Sequence, residues 1–190
     1  MQYNNLYRYG SWVYGTNNPN SDEDFIAIGE VGDEEYVIED GNKSIHYYNK
    51  STFQKHIDNH KIYALECLFL PNEHKLAEEF KFTFTLDKKK LRHYISEKSS
   101  NSYVKCKKKF EVEKDRDYYV GKKSLFHSIR MIDFAIQIAS SNRIENYKSC
   151  NSIYEEIMTD PSLDWEHYHS IYKPIFNQYM TRFRELCPKL

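Results

Sequence analysis

The chain has 190 residues, 28 acidic against 27 basic side chains and a formal net charge of −1, a balance that excludes a generally basic nucleic-acid coat and leaves only local patches of charge. Hydrophobic residues make up 40% and aromatics 16%, enough to bury a core, so the chain reads as globular, with length for one large or two small domains. No run of about 18 apolar residues appears and the first ten residues lack an apolar stretch, which predicts a cytoplasmic protein with no membrane span. Cys67, Cys106, Cys150 and Cys187 lie far apart with no C-x-x-C, the usage of reduced thiols rather than of a disulfide framework or a zinc site.

Along the chain, the aromatic stretch Leu6-Tyr7-Arg8-Tyr9 predicts a short strand, and Gly10-Ser11 a sharp turn into a brief helical turn. Thr16 to Ser21 is loop chemistry, after which Asp22-Glu23-Asp24-Phe25-Ile26-Ala27-Ile28 reads as a strand that becomes apolar inward. Tyr36 to Glu39 and Ser44 to Tyr48 flank Asp40-Gly41-Asn42-Lys43, a hairpin pattern. Ser51 with Gln54 predicts a capping box that opens a helix. Ile62 to Leu70 is nearly all apolar and buried, with helix and strand both open. Phe80, Phe82, Phe84 and Leu86 alternate with polar partners and predict a strand with one buried face. Beyond it no period-2 stretch remains, and Leu91 with Ile95, then Leu125, Ile129, Ile132 and Ile136, recur at helical spacing. Asp164 caps the last helix, which Pro174 should kink or interrupt. The fold class expected is therefore α+β: a mixed sheet domain over residues 1–86 and an all-helical domain over residues 87–190.

The chemistry concentrates in Y-G-S-W-V-Y-G-T-N-N-P-N-S-D-E-D-F-I-A-I, residues 9–28. Side chains two apart on a strand share a face, about 6.6 Å apart along the backbone, so Asp22 and Asp24 converge while Glu23 points away. Two hard carboxylates suit Mg²⁺, which takes few protein ligands and keeps its other positions for water and phosphate. Gly10 lets the backbone approach a phosphate, Ser11 offers a hydroxyl and an amide, and Gly15 relieves the turn behind them. An arbitrary acidic triplet is more often a solvated loop, but the order strand, Gly-Ser, Gly, strand-borne D-x-D is the order a metal-dependent nucleotide site needs.

These residues resemble the DNA polymerase β-like nucleotidyltransferase superfamily, in particular its small phage- and prokaryote-type members. The resemblance continues more softly through S-T-F-Q-K-H-I-D-N-H-K-I-Y-A-L-E-C-L-F-L-P, G-K-K-S-L-F-H-S-I-R-M-I-D-F-A-I-Q-I and F-R-E-L-C-P-K. It implies that residues 1–86 are the nucleotidyltransferase domain and 87–190 a helical substrate-binding domain that closes over the nucleotide. It also implies that Gly10 and Ser11 hold the triphosphate, with Gly15, Thr16 and Ser21 in the nucleotide-binding loop, and that Asp22 and Asp24 hold the catalytic Mg²⁺. The superfamily adds a third carboxylate on a neighbouring strand. Here Ser44 or His46 stands where it is expected, with Glu39, Asp40 and Glu66 as nearby alternatives. His46 is a candidate general base because histidine as a side chain ordinarily titrates near neutrality, although a strand histidine without such a role is commoner.

Glu66 is the lone acid in an apolar run and must pair, protonate or face a cleft. Lys123, His127 and Arg130 fall at i, i+4 and i+7 and predict an outward cationic face, opposite the buried stripe, that meets the triphosphate. Lys105, Lys107, Lys108 and Lys109 are nearly cancelled by Glu111, Glu113 and Asp115 and read as a solvated helix. The function implied is transfer of a nucleoside monophosphate from an NTP to an acceptor hydroxyl, an RNA or tRNA end being the first candidate. Two alternatives stay open: a catalytically degenerate nucleotide- or RNA-binding protein, and a transferase acting on a protein or small-molecule hydroxyl. Nothing in the sequence signals an oligomeric state.

Overall fold

The computed structural model describes residues 3–30 and 35–189. The chain has an α+β architecture, a mixed sheet with short helices followed by a helical region, and divides into two compact units, Met1–Thr85 and Leu86–Leu190.

In the first unit, β1 (Asn5–Tyr9) leads through α1 (Ser11–Tyr14) to β2 (Glu23–Gly29), then to β3 (Glu35–Asp40), β4 (Lys43–Asn49), α2 (Lys50–Asp58), α3 (Ile62–Leu68) and β5 (Lys75–Glu78). The sheet order is β3-β4-β2-β1-β5, with β2 and β4 parallel and the other pairs antiparallel. Phe25, Ile26, Ala27 and Ile28 are all buried, as a continuous apolar run in a central strand requires. β3 and β4 form the expected hairpin, and Gly41 supplies its positive φ of 62°, a conformation that costs other residues. On one face Tyr7 of β1 and Tyr48 of β4 pack on Phe53 of α2, and Tyr48 stacks on Tyr63 of α3.

Three local expectations fail here. Helix α2 is capped by the Asn49 side chain, which accepts from the Thr52 amide, so Ser51 and Gln54 form no capping box. Asn49 wins because it ends β4 one residue before the helix begins, in the extended conformation an N-cap takes. Residues 79–87 form no strand. Phe82 packs on Phe53, and Phe84 on Phe69 and His60, so the alternation is that of an extended segment docked ring by ring. Its backbone is held by side-chain amides. Asn5 accepts from the Glu79 and Phe80 amides and donates to the Phe80 carbonyl, while Gln54 accepts from the Thr83 amide and donates to its carbonyl. The third correction concerns β2, which begins at Glu23 and leaves Asp22 in the loop. Both flanking strands stop at the same level: Tyr9 ends β1 opposite Asp24, and Lys43 starts β4 opposite Glu23.

The second unit comprises α4 (Lys88–Glu111), α5 (Tyr118–Ser141), α6 (Asn151–Thr159) and α7 (Trp165–Leu186). Leu91, Ile95, Ser99, Tyr103, Cys106 and Phe110 form the buried stripe of α4 at three- and four-residue spacing. Asp87, Asp117 and Asp164 cap α4, α5 and α7. Helix α7 runs uninterrupted through Pro174. Pro174 and Ser170 are both exposed, so water can meet the carbonyl that the proline leaves without a donor. Tyr168, Tyr172, Phe176 and Met180 anchor the helix on both sides of it. Lys105, Lys107 and Lys108 are exposed, and Lys107 pairs with Glu111 at 3.6 Å. Among the described residues no helix is long and apolar enough to cross a membrane.

Candidate active site at the Gly10 turn

β1 ends at Tyr9, and the chain reverses at once into α1. Gly10 makes this possible with φ 75° and ψ −150°, a region that essentially only glycine occupies. Its carbonyl accepts the Val13 and Tyr14 amides, and the Ser11 and Trp12 amides are left at the open end of the turn. The Ser11 carbonyl accepts from Thr16 and from Gly15, which closes the turn in the left-handed conformation. Thr16 is buried. The next loop closes on itself: Asn18 donates its amide to Ser21 Oγ at 2.8 Å, and the Ser21 amide returns to the Asn18 carbonyl at 2.9 Å. The Ser21 hydroxyl oxygen is thus already an acceptor within the loop.

The loop returns the chain to β2, whose register sets Asp24 opposite Tyr9. Gly10 then lies directly against the Asp24 carboxylate. A Cβ on Gly10 would sit 2.5 Å from Asp24 Oδ2, closer than unbonded atoms can approach, and 3.3 Å from its Cγ. Asp24 is half-buried, and Asp22, one residue before the strand, is exposed. Among the described residues no group of three or more His, Cys, Asp or Glu is arranged to hold a metal. A cation here would draw on two carboxylates, with phosphate and water for the rest, and that ligand set suits Mg²⁺.

Register also sorts the candidates for the third acid. Asp24 lies opposite Ser44, and Ser44 opposite Glu39, so the three side chains stand in one row on one sheet face. The Ser44 hydroxyl donates to Glu39 Oε1 at 3.0 Å. Ser44 occupies the position beside Asp24. His46 stands one row further in, between Ile26 and Val37, on the same face. Asp40 pairs in register with Lys43, in the row of Glu23, on the other face. Glu66 on α3 is buried, 1% exposed, and accepts a hydrogen bond from the Tyr14 hydroxyl. It braces α1 from behind.

Sequence reasoning misses the residues on the far side of the turn. Trp12 donates its indole N–H to the Asp22 carbonyl at 3.2 Å, the Arg8 guanidinium lies 5.8 Å from the Trp12 ring centre, and Arg8 pairs with Glu23 at 3.7 Å. No motif announces this group; it follows from the register that sets Arg8 opposite Phe25, on the face of Glu23.

Within the second unit, Lys123, His127 and Arg130 all lie on α5, but they form no outward cationic face. Arg130 is buried, 2% exposed, donating to His127 Nδ1 at 2.7 Å, with its guanidinium 5.2 Å from the Phe134 ring centre. Burial first, then the charges of Arg130 and Lys105, push the half-buried His127 imidazole down to about 3, so it is neutral. Only Lys123 of the three is exposed, its ammonium 5.3 Å from the Tyr119 ring centre. The difference is one of packing and not of helical angle: seven residues return Arg130 to within about 20° of Lys123, but two turns further along α5 residues 128–132 are all buried, and there a planar, weakly hydrated guanidinium is better tolerated than an ammonium.

No protein-family model matches the chain, and no curated protein matches it either.

Proposed function

We propose that the chain is a metal-dependent nucleotidyltransferase, which moves a nucleoside monophosphate from an NTP to an acceptor hydroxyl, with an RNA or tRNA end as the acceptor class. The observation that carries the reading is the apposition of Gly10 and Asp24, which sets a side-chain-free backbone turn directly against a half-buried carboxylate. The space a Gly10 Cβ would take is filled by the Asp24 carboxylate, so a phosphate would meet the turn at the Ser11 and Trp12 amides, which lie at its open end. Asp22 and Asp24 are the residues that would hold Mg²⁺, which when bound neutralises phosphate charge as pyrophosphate leaves. The turn orients the triphosphate, and Glu66 keeps the turn in place through Tyr14. Ser11 supplies a hydroxyl to the phosphate oxygens. His46, on the same face as Asp24, is the candidate to take the acceptor's proton. The four buried free cysteines fit work in a reducing cytoplasm.

One observation favours a second reading. Ser44, not a carboxylate, stands opposite Asp24, which fits a protein that binds an NTP without transferring it. Incubation of the pure protein with each labelled NTP, Mg²⁺ and total RNA separates the two. Metal-dependent pyrophosphate release with label in RNA supports the transferase; tight NTP binding without release supports the binder; neither binding nor release rejects both.

A further inference from the structure

Asp22 presents a mechanical problem. It stands beyond the ends of both neighbouring strands, since β1 stops opposite Asp24 and β4 starts opposite Glu23, and it is tied to the sheet on its C-terminal side, where the Glu23 amide donates to the Asn42 carbonyl at 2.8 Å. It is also exposed. A carboxylate that shares a cation with Asp24 needs a fixed backbone, and on the other side of the same Asp22–Glu23 peptide the Asp22 carbonyl accepts the indole N–H of Trp12 at 3.2 Å. Trp12 follows Ser11 in α1, so the same short turn that presents the phosphate-facing amides also grips the loop that carries the acid.

The ring is held in turn. Arg8 lies 5.8 Å from its centre and reaches Glu23 at 3.7 Å. Arg8 stands opposite Phe25, so Arg8 and Glu23 are diagonal neighbours on one face of the sheet, and Asp24 lies on the other. The contacts Glu23 to Arg8 to Trp12 to Asp22 therefore wrap around the start of β2.

We propose that Trp12 is a positioning residue for Asp22, held in place by Arg8 and Glu23, and that this relay sets the height at which the Asp22 carboxylate stands beside Asp24 for a divalent cation. The inference rests on the nucleotidyltransferase reading of the acid pair. It gives a role to Glu23, which points away from the site and acts on it through two side chains.

The test is Mn²⁺ binding, measured by calorimetry with no nucleotide present. Trp12→Phe keeps the ring and loses the N–H, and it is expected to weaken Mn²⁺ binding about threefold to tenfold, the effect of one neutral hydrogen bond, with an unchanged melting temperature. Glu23→Gln, which removes a partly exposed pair, should weaken it by about twofold. Because Trp12 acts through Asp22, Trp12→Phe should change nothing further in an Asp22→Asn background. A spectroscopic signature accompanies this. The chain has two tryptophans, so in a Trp165→Phe background Mn²⁺ should quench Trp12 fluorescence, and Asp22→Asn should abolish the quenching at the same concentration. Binding that depends on Asp22 and Asp24 but is untouched by Trp12→Phe, or effects of Trp12→Phe and Asp22→Asn that add in full, overturns the relay alone. Mn²⁺ binding indifferent to both Asp22→Asn and Asp24→Asn rejects the acid pair as a cation site, and the relay falls with it.

Discussion

The Cα of Gly10 rests against the carboxylate of Asp24 so closely that a methyl group on Gly10 would lie 2.5 Å from Asp24 Oδ2. Two residues that the sequence separates by a helical turn and a loop are neighbours because Tyr9 and Asp24 face each other across β1 and β2. Gly10→Ala meets two obstacles at once: a backbone region closed to other residues, worth on the order of 1–3 kcal/mol, and the displaced carboxylate. It should lower the urea midpoint and abolish Mg²⁺-dependent NTP binding. Gly41→Ala is the matched control, since Gly41 also has a positive φ but nothing within 4 Å of the added methyl. That variant should lose stability and keep its nucleotide affinity. Equal NTP binding by wild type and a folded Gly10→Ala protein would exclude the cradle.

Asp22→Asn and Asp24→Asn should each keep the fold and lower metal-dependent pyrophosphate release by about two orders of magnitude or more, the scale on which electrostatic stabilisation of a transition state acts. Asp24 is the more demanding position because it is half-buried against Gly10. Asp24→Asn should therefore lose more Mn²⁺ affinity than Asp22→Asn. The measurements are a coupled pyrophosphate assay and calorimetry, with circular dichroism to confirm folding. Wild-type rates in both variants would remove the acid pair from the chemistry.

What the sequence makes legible is what local chemistry determines. The hairpin at Gly41, the helical second half and the Asp164 cap each follow from a few adjacent residues. Phe80, Phe82 and Phe84 alternate as a strand would, yet their backbone is satisfied by Asn5 and Gln54, residues distant in the chain whose role no periodicity discloses. Arg130 sits at helical spacing from Lys123, and only the packing around α5 tells which of the two is buried. At the site, the order of Gly10, Ser11, Asp22 and Asp24 is legible as a motif. The Trp12, Arg8 and Glu23 relay is not, because it depends on which residue of β1 faces which residue of β2.

Asn5 is fully buried, and its side chain makes four hydrogen bonds: to the Tyr7 hydroxyl and the Phe80 carbonyl as donor, and from the Glu79 and Phe80 amides as acceptor. Asn5→Ala removes the side chain that pairs with the part-buried Phe80 amide and carbonyl and leaves the Glu79 amide its longer bond to the Asn4 carbonyl at 3.2 Å, at a cost of about 1–3 kcal/mol. Urea denaturation should show that loss, and hydrogen exchange should show the Glu79 and Phe80 amides exchanging much faster while those of α5 keep their protection relative to global unfolding. Asn5→Asp keeps the acceptor and should hold the two amides better than alanine does. A stability change under about 0.5 kcal/mol, the scale of an inert surface site, would mean that the 79–87 segment is held by its phenylalanine rings alone.

The second unit carries a pH dependence of predictable sign. His127 is pushed down to about 3 by burial, with Arg130 and then Lys105 adding to it, whereas in the unfolded chain a histidine titrates near 6.5. The folded protein therefore refuses a proton that the unfolded chain accepts. The stability this protects is fully present above about pH 6.5 and is lost as the pH falls from there toward 3, at up to about 1.4 kcal/mol per pH unit. His56, lowered by its own burial and by Lys61, adds a loss of the same sign, so removing His127 should flatten the dependence without abolishing it. His127→Gln keeps a hydrogen-bond acceptor for Arg130 and removes the titration. Between about pH 7 and pH 5, above the range in which most carboxylates protonate, the wild type should lose more stability to urea than His127→Gln does, by roughly one proton's slope. Arg130→Met removes the second cause of the shift, so the His127 ring should titrate closer to its ordinary value, which an NMR titration of the imidazole resonances reads directly. Equal acid sensitivity of wild type and His127→Gln, or a wild-type ring that titrates near 6.5, would show that the His127 and Arg130 pair is open to solvent and protonates freely.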